Sequence, residues 1–223
     1  MKCGGWRWCM VNPKPSLLCR LRRRLQLLPI RMYQRLRVWG YKFVSNIHHC
    51  DSLACFNQPV VMTGRGRVQL GRCNLGVWPS PYYLNGYIHI EARDATSSIE
   101  IEDGVWVNNN AVIIAERSSI RIGANTLIGT EFTVYDSDFH DLHPENRMSG
   151  IHKCASVSIG KNVFIGSRVM VLKGVDIGDN CVIASGAVVT NSVPANCIAG
   201  GVPARVIRYL RNDEKQENIL QGR

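Results

Sequence analysis

The stretch Ile159-Gly160-Lys161-Asn162-Val163-Phe164-Ile165-Gly166-Ser167-Arg168-Val169-Met170-Val171, continued to Val193, decides how the chain folds. Aliphatic residues recur at 159, 165, 171, 177, 183 and 189, and a small residue such as Gly160, Gly166, Gly178 or Ala184 usually follows. A period of six fits neither a helix nor an alternating strand. It requires the aliphatic residue to return to the same place after each flat segment and turn, as in a parallel β-solenoid. Val163, Val169, Cys181 and Ala187 recur four places after the aliphatic residue, where the interior is tight. One buried Ile or Val contributes about 1.5–3 kcal/mol, which does not offset the ordering entropy of its own hexad, whereas a stack of hexads can. The rest of the chain is therefore read as caps, insertions and attachments.

The stretch is followed by Ile198-Ala-Gly-Gly-Val-Pro-Ala-Arg-Val-Ile207. With the hexads, this ending resembles the hexapeptide-repeat acyltransferases over about residues 68 to 210. The resemblance implies coils of three hexads wound into a left-handed triangular β-helix. Periodicity gives the coil but not its hand, and the right-handed preference of parallel β connections would point the other way. The expected fold is an all-β solenoid (left-handed parallel β-helix) with an N-terminal α-helical arm and a short C-terminal cap. The expected divisions are a basic arm at 1–50, a β-helix at 51–210 with an ejected loop at 135–158, and a charged tail at 211–223.

The chain has 223 residues, 45% hydrophobic, enough for one continuous core. Its net charge of +10 is lopsided. Before Asp51 there is no acidic residue, while Lys or Arg stands at 2, 7, 14, 20, 22, 23, 24, 31, 35, 37 and 42. The remainder carries 16 basic and 17 acidic residues, so the body is nearly neutral and nucleic-acid binding is not implied. Nine cysteines in a small secreted domain would suggest disulfides. Cys181 and Cys197, however, occupy small buried slots of the repeat and no cleavable signal peptide is visible, so a reducing cytoplasm fits. No apolar run reaches spanning length, so any membrane contact is expected to be peripheral, at the inner membrane face.

An amphipathic helix is expected from Ser16, with Leu18, Leu21, Leu25, Leu28, Met32, Leu36 and Trp39 at steps of three and four. Pro29 should kink or split it. The helix either packs against the first coil or a neighbouring subunit, or lies on anionic lipid with Trp39, Tyr41 and Phe43 at the interface. His48-His49-Cys50 with Cys55 lacks a paired CxxC or a second ligand cluster, so zinc is not expected. The aliphatic rhythm starts loosely at Val68 and is regular at Ile101, Val107 and Ile113. It resumes at Ile122, Ile128 and Val134 after a three-residue slip near Arg117 to Ile120. The slip reads as a longer corner that re-aims side chains toward a cleft. From Tyr135 to Ser158 the register vanishes in a polar, histidine-rich segment, as expected of an ejected loop. Arg205 to Leu210 reads as a terminal strand or helix capping the last coil.

The resemblance implies acyl transfer from acetyl-CoA. Transfer from a thioester to a hydroxyl needs a base and an oxyanion donor, and histidine suits the first because it titrates near neutrality. His89, His140, His143 and His152 lie in or beside the loop or on the coils leading to it. The segment His140-Asp-Leu-His-Pro-Glu-Asn-Arg147 is similar to the family's loop, in which a histidine opens a stretch closed by Arg seven residues later, and this selects His140 as the base. His143 and His152 are read as solvated, and Asp138 or a backbone carbonyl is a candidate to orient the imidazole. Asn108 matches the family's acceptor-contacting Asn, although Asn ladders also fill corners of β-helices; Asn110 is assigned to structure. Glu116 falls where the family often carries an acidic acceptor ligand.

By the same resemblance, Ser167 and Ser185 line the pantetheine arm one coil apart, with the amide near Ser167 as oxyanion donor. Thr190, Arg205 and Arg208 complete the donor contacts. Asn191 stands where the family frequently has Lys, so one phosphate contact is lost or is supplied by Arg168 or Lys173. Cys154 ends the loop, but no Ser or Cys beside a base suggests an acyl-enzyme, and direct transfer is expected.

The combined expectation is an acetyl-CoA-dependent O-acetyltransferase acting on a sugar hydroxyl of a bacterial surface polysaccharide or its precursor. It would be a homotrimer whose cleft is completed by the neighbouring subunit, with no metal. The alternatives are a nucleotide-sugar N-acetyltransferase, a non-catalytic hexapeptide-repeat scaffold, or a zinc protein with three histidines converging across an interface.

Overall fold

The structure, a computed structural model, describes residues 17–46 and 52–210. The expectations for His48-His49-Cys50, residues 1–16 and the tail 211–223 lie outside the described residues. After a helix at Leu17–Val44, the chain visits three sheets in rotation: Cys55–Phe56 in an eight-stranded sheet, Val60–Gly64 in a six-stranded sheet, Arg67–Leu70 in a five-stranded sheet, then Asn74–Leu75 in the eight-stranded sheet again. The strands stack in parallel in all three sheets except at the end, where Ala204–Tyr209 pairs antiparallel with Cys197–Gly201. That strand is the expected C-terminal cap.

The period of six is one side of this three-sided path. Ile159 pairs with Ile177, Phe164 with Val182 and Val171 with Val189, each 18 residues on and therefore three hexads later. The repeating aliphatic residues are buried, as are Val163, Val169, Cys181 and Ala187 behind them. The small residue that follows is required by the spacing of the coils. A Cβ on Gly160 would stand 2.4 Å from Asp179 Oδ1, and one on Gly166 2.5 Å from Ser185 Oγ.

The first coil begins earlier than the visible rhythm. Cys55–Phe56 and Val60–Gly64 already form it, hidden because Asn57-Gln58-Pro59 at its corner is polar. Gln58 is nonetheless buried, with its Nε2 donating to the Tyr82 carbonyl at 2.7 Å. The three-residue slip is real. Val107 pairs with Ile128 and Ile113 with Val134, 21 residues on, and the additional residues lie between Val112–Ala115 and Ser119–Ile122. The ejected loop runs from 136 to 156, between Thr133–Tyr135 and Val157–Ile159. Its neck is tied by a Ser137–Cys154 bridge, by the Asp138 amide on the Lys153 carbonyl (3.2 Å) and by the Ala155 amide on the Asp136 carbonyl (2.8 Å).

Of the kink or split expected at Pro29, the split does not occur: Leu17–Val44 is one element. The carbonyl that Pro29 leaves without its amide belongs to Leu25, which is exposed, so water can serve it. The helix also docks through its polar side. Gln34 Nε2 donates to the Tyr83 carbonyl (2.5 Å), and Arg37 donates to the carbonyls of Leu84 and Gly86, both at 2.7 Å. The apolar stripe of Leu25, Leu28, Met32, Leu36 and Trp39, extended by Phe43, faces away from the coil and is exposed.

Candidate functional site

Three corners join the sheets, and the residues singled out from the sequence divide between two of them. The corner leading from the eight- to the six-stranded sheet carries Asn108, Ser167 and Ser185, after Trp106–Val107, Phe164–Ile165 and Val182–Ile183. The corner leading from the six- to the five-stranded sheet carries Glu116, the loop with His140, and Thr190 after Val188–Val189. Arg205 and Arg208 project from the final antiparallel strand and are exposed.

His140 is exposed and lines a cavity of about 290 Å³ with Asp138, Asp141, Leu142, Ile151, His152 and Lys153. Its Nδ1 lies 3.1 Å from the Arg147 carbonyl. A carbonyl only accepts, so Nδ1 carries the proton in this bond, and in the neutral ring the lone pair is on Nε2. The residue that orients the imidazole is thus the backbone of the arginine seven positions on. Asp138 is engaged elsewhere, with its Oδ1 2.9 Å from Lys173 Nζ. His89 is remote from the loop's chemistry, on the six-stranded sheet with Nε2 3.3 Å from Glu91. The Glu91 carboxyl is held below its ordinary range, chiefly by the hydrogen bond from Arg93 and against the opposing effect of burial.

The loop stands on Asp136, a buried residue that the sequence reading passed over. Its carboxylate accepts the amides of Glu116 (2.7 Å), Arg117 (3.3 Å) and Ser118 (2.7 Å), the turn created by the three-residue slip. Asp-Ser-Asp at 136–138, two places after Val134 where the register stops, was the available signal. Glu116 is itself buried, accepting from Ser137 Oγ at 2.7 Å, with His152 Nε2 2.9 Å and Arg93 Nη1 3.8 Å away. His152 is not solvated as expected: its side chain is 3% exposed.

At the other corner, Asn108 accepts the Asn109 amide at 2.8 Å and is half-buried. The structural asparagine of the triplet is Asn109, fully buried, whose amide donates to the carbonyls of Val77 (3.0 Å) and Pro81 (2.8 Å). Asn110 adopts a left-handed conformation (φ 64°), in keeping with its structural assignment. Ser185 Oγ accepts the Ser167 amide at 3.2 Å, and Thr130 Oγ1 reaches Ser167 Oγ at 3.1 Å, so the two serines are stacked as expected. Thr190 donates to Asn191 at 2.8 Å. Of the two cations considered in place of the family's Lys at 191, Lys173 is bound to Asp138, whereas Arg168 is exposed at the serine corner.

Residues 156–191 match the bacterial transferase hexapeptide family (six repeats). That segment of the chain carries the hexapeptide repeat. It is 40% identical to the galactoside O-acetyltransferase of Escherichia coli K12 over 119 residues, 53% of this chain and 58% of that protein. It is 32% identical to the galactoside O-acetyltransferase of Lactococcus lactis over 117 residues, 52% and 56% of the two chains. The chain therefore spans little more than half the length of the relatives it matches. Among solved structures, a galactoside acetyltransferase in complex with coenzyme A aligns with a TM-score of 0.53 at 24% identity, covering 91% of this chain and 94% of that one. A maltose O-acetyltransferase from Clostridium difficile 630 aligns with 0.51 at 24% identity, over 84% and 89%. These two share the fold.

Proposed function

We propose that the protein is an acetyl-CoA-dependent O-acetyltransferase acting on a sugar hydroxyl, that its coil is the left-handed β-helix of the family, and that its acceptor is a bacterial surface polysaccharide or a precursor. The observation that carries this reading is His140, which lines a cavity and is held through Nδ1 by the Arg147 carbonyl. Nε2 takes the proton of the acceptor hydroxyl as its oxygen attacks the thioester carbonyl. The tetrahedral oxyanion is met by the Ser167 amide, the carbonyl oxygen replacing Ser185 Oγ there, and collapse breaks the C–S bond while His140 returns its proton to the thiolate. Asn108 and Glu116 are assigned to the acceptor side, Glu116 acting from its buried position by shaping the corner. Ser167, Ser185 and Thr190 are assigned to the pantetheine arm, and Arg205 and Arg208 to the phosphates.

Because His140 and the serine pair lie on different corners of one coil, a single copy does not bring them together along one edge. A second copy, its serine corner against the first copy's histidine corner, completes the cleft. This supports a cyclic trimer. No helix among the described residues is long and apolar enough to cross a membrane. The outward stripe of the helix, flanked by Arg31, Arg35 and Lys42, suits peripheral contact with an anionic lipid surface, where carriers of glycan precursors reside.

The test is transfer from acetyl-CoA to galactosides and oligosaccharides, followed by thiol release and product mass. His140→Ala should lower turnover by about 10²- to 10⁴-fold with coenzyme A affinity nearly unchanged. Near-parental turnover in that variant would remove the assignment.

A further inference from the structure

Three donor side chains converge at the neck of the ejected loop; the transfer chemistry uses neither His152 nor Cys154, and uses Glu116 only to shape the corner. One donor atom each from Glu116, His152 and Cys154 all lie within 4.8 Å of one another. His152 is enclosed, yet neither Nδ1 nor Nε2 makes a hydrogen bond. Nε2 stands 2.9 Å from Glu116 Oε2 but lacks the directed geometry of a bond to it, and Glu116 is already served by Ser137 Oγ at 2.7 Å. A buried ring whose nitrogens make no hydrogen bond is costly, and native structures seldom keep one without a reason.

We propose that Glu116, His152 and Cys154 form a binding site for a divalent cation of the zinc class. Imidazole, thiolate and carboxylate together suit zinc, whereas magnesium and calcium call for oxygen donors. Zinc bonds of about 2.0–2.3 Å put neighbouring donor atoms roughly 3.3–3.8 Å apart, so the cluster needs to contract only by about an ångström at its widest. The thiolate and carboxylate balance the ion's charge, and three protein ligands leave a fourth position for water. The cavity lined by His140 and His152 provides the way in.

The consequence is mechanical. Glu116 belongs to the turn of the coil, while His152 and Cys154 lie on the returning limb of the loop, so the ion would staple loop to coil and fix the base of the segment that carries His140. Its role is positioning. The site stands independently of the acetyl-transfer reading, because metal binding is measured without substrate.

The experiment is titration of the reduced, metal-free full chain with Co²⁺. One equivalent should bind with a sulfur-to-cobalt charge-transfer band in the near ultraviolet, and zinc should abolish that band. Cys154→Ser should lose the band and bind at least 10-fold more weakly, and His152→Gln should also bind at least 10-fold more weakly. Because His152 is buried and its replacement can disturb the neck, a second readout uses the unaltered chain. Zinc should slow iodoacetamide alkylation of Cys154 at least 10-fold, read by peptide mass, while exposed Cys55 reacts unchanged. Cys197, whose thiol burial and the neighbouring Cys181 push up to about 11, stays protonated and does not interfere. Absence of the sulfur band, undiminished affinity in Cys154→Ser, or alkylation of Cys154 indifferent to zinc would each overturn the site.

Discussion

At the corner between the five- and eight-stranded sheets, Asn162, Asn180 and Asn196 sit one above another in left-handed conformation, and their amides form a ladder with rungs of 2.8 and 2.9 Å. At the corner between the six- and five-stranded sheets, the chain inserts three residues after Ala115 and a whole loop after Tyr135. At the asparagine corner the repeat is intact, each level satisfies its amides with the level above, and these side chains are consumed by structure. Where it is broken, the backbone amides need a partner of their own, which Asp136 supplies, and the loop side chains become available for chemistry.

This contrast sets the order of expected effects. Phe132→Ala empties a fully buried site in the core shared by both corners and should cost about 3–5 kcal/mol in urea unfolding. Asp136→Ala leaves three amides of the inserted turn without their acceptor and should cost on the order of 3 kcal/mol. Its signature is local: amide exchange should accelerate at 116–118 and through the loop before the upper coils respond. Asn180→Ala removes one member of the ladder and should cost only about 1 kcal/mol, without changing exchange in the loop. If Asn180→Ala matched Asp136→Ala, the distinction between the two corners would fail.

A smaller effect is set by pH. The Glu91 carboxyl titrates below its free value because Arg93 bonds its charged form, so its contribution to stability is complete above the free carboxylate pKa and is lost as pH falls through the lowered one. Glu91→Gln should therefore flatten the acid limb of the stability profile slightly and leave stability near pH 7 changed in the unfavourable direction.

The coil was legible because a hexad repeats its physical demand at every turn: Ile159, Ile165 and Val171 each fill one side of one layer. The slip at Arg117 and the loop after Tyr135 were legible as breaks in that rhythm. What the sequence did not reveal depends on contacts between distant residues. Asp136 finds amides some twenty positions earlier, and His152 is buried against Glu116 across the neck, which no local pattern reports. The apolar stripe of the helix was legible in the same way, but its docking side was not: that side is chosen by carbonyls of the 83–86 segment, which Gln34 and Arg37 reach and which leave no periodic mark.

The central claim is that catalysis joins the histidine corner of one copy to the serine corner of another. Co-assembly of two inactive variants tests it most directly. His140→Ala disables the first corner, and Ser185→Trp fills the exposed place on the second where the pantetheine arm is proposed to run. Unfolded and refolded together, the variants should form mixed oligomers in which about one cleft in four pairs two intact corners, restoring roughly a quarter of parental turnover. A mixture that stays as inactive as its two parents, although mass spectrometry shows mixed oligomers, would contradict a site shared between copies.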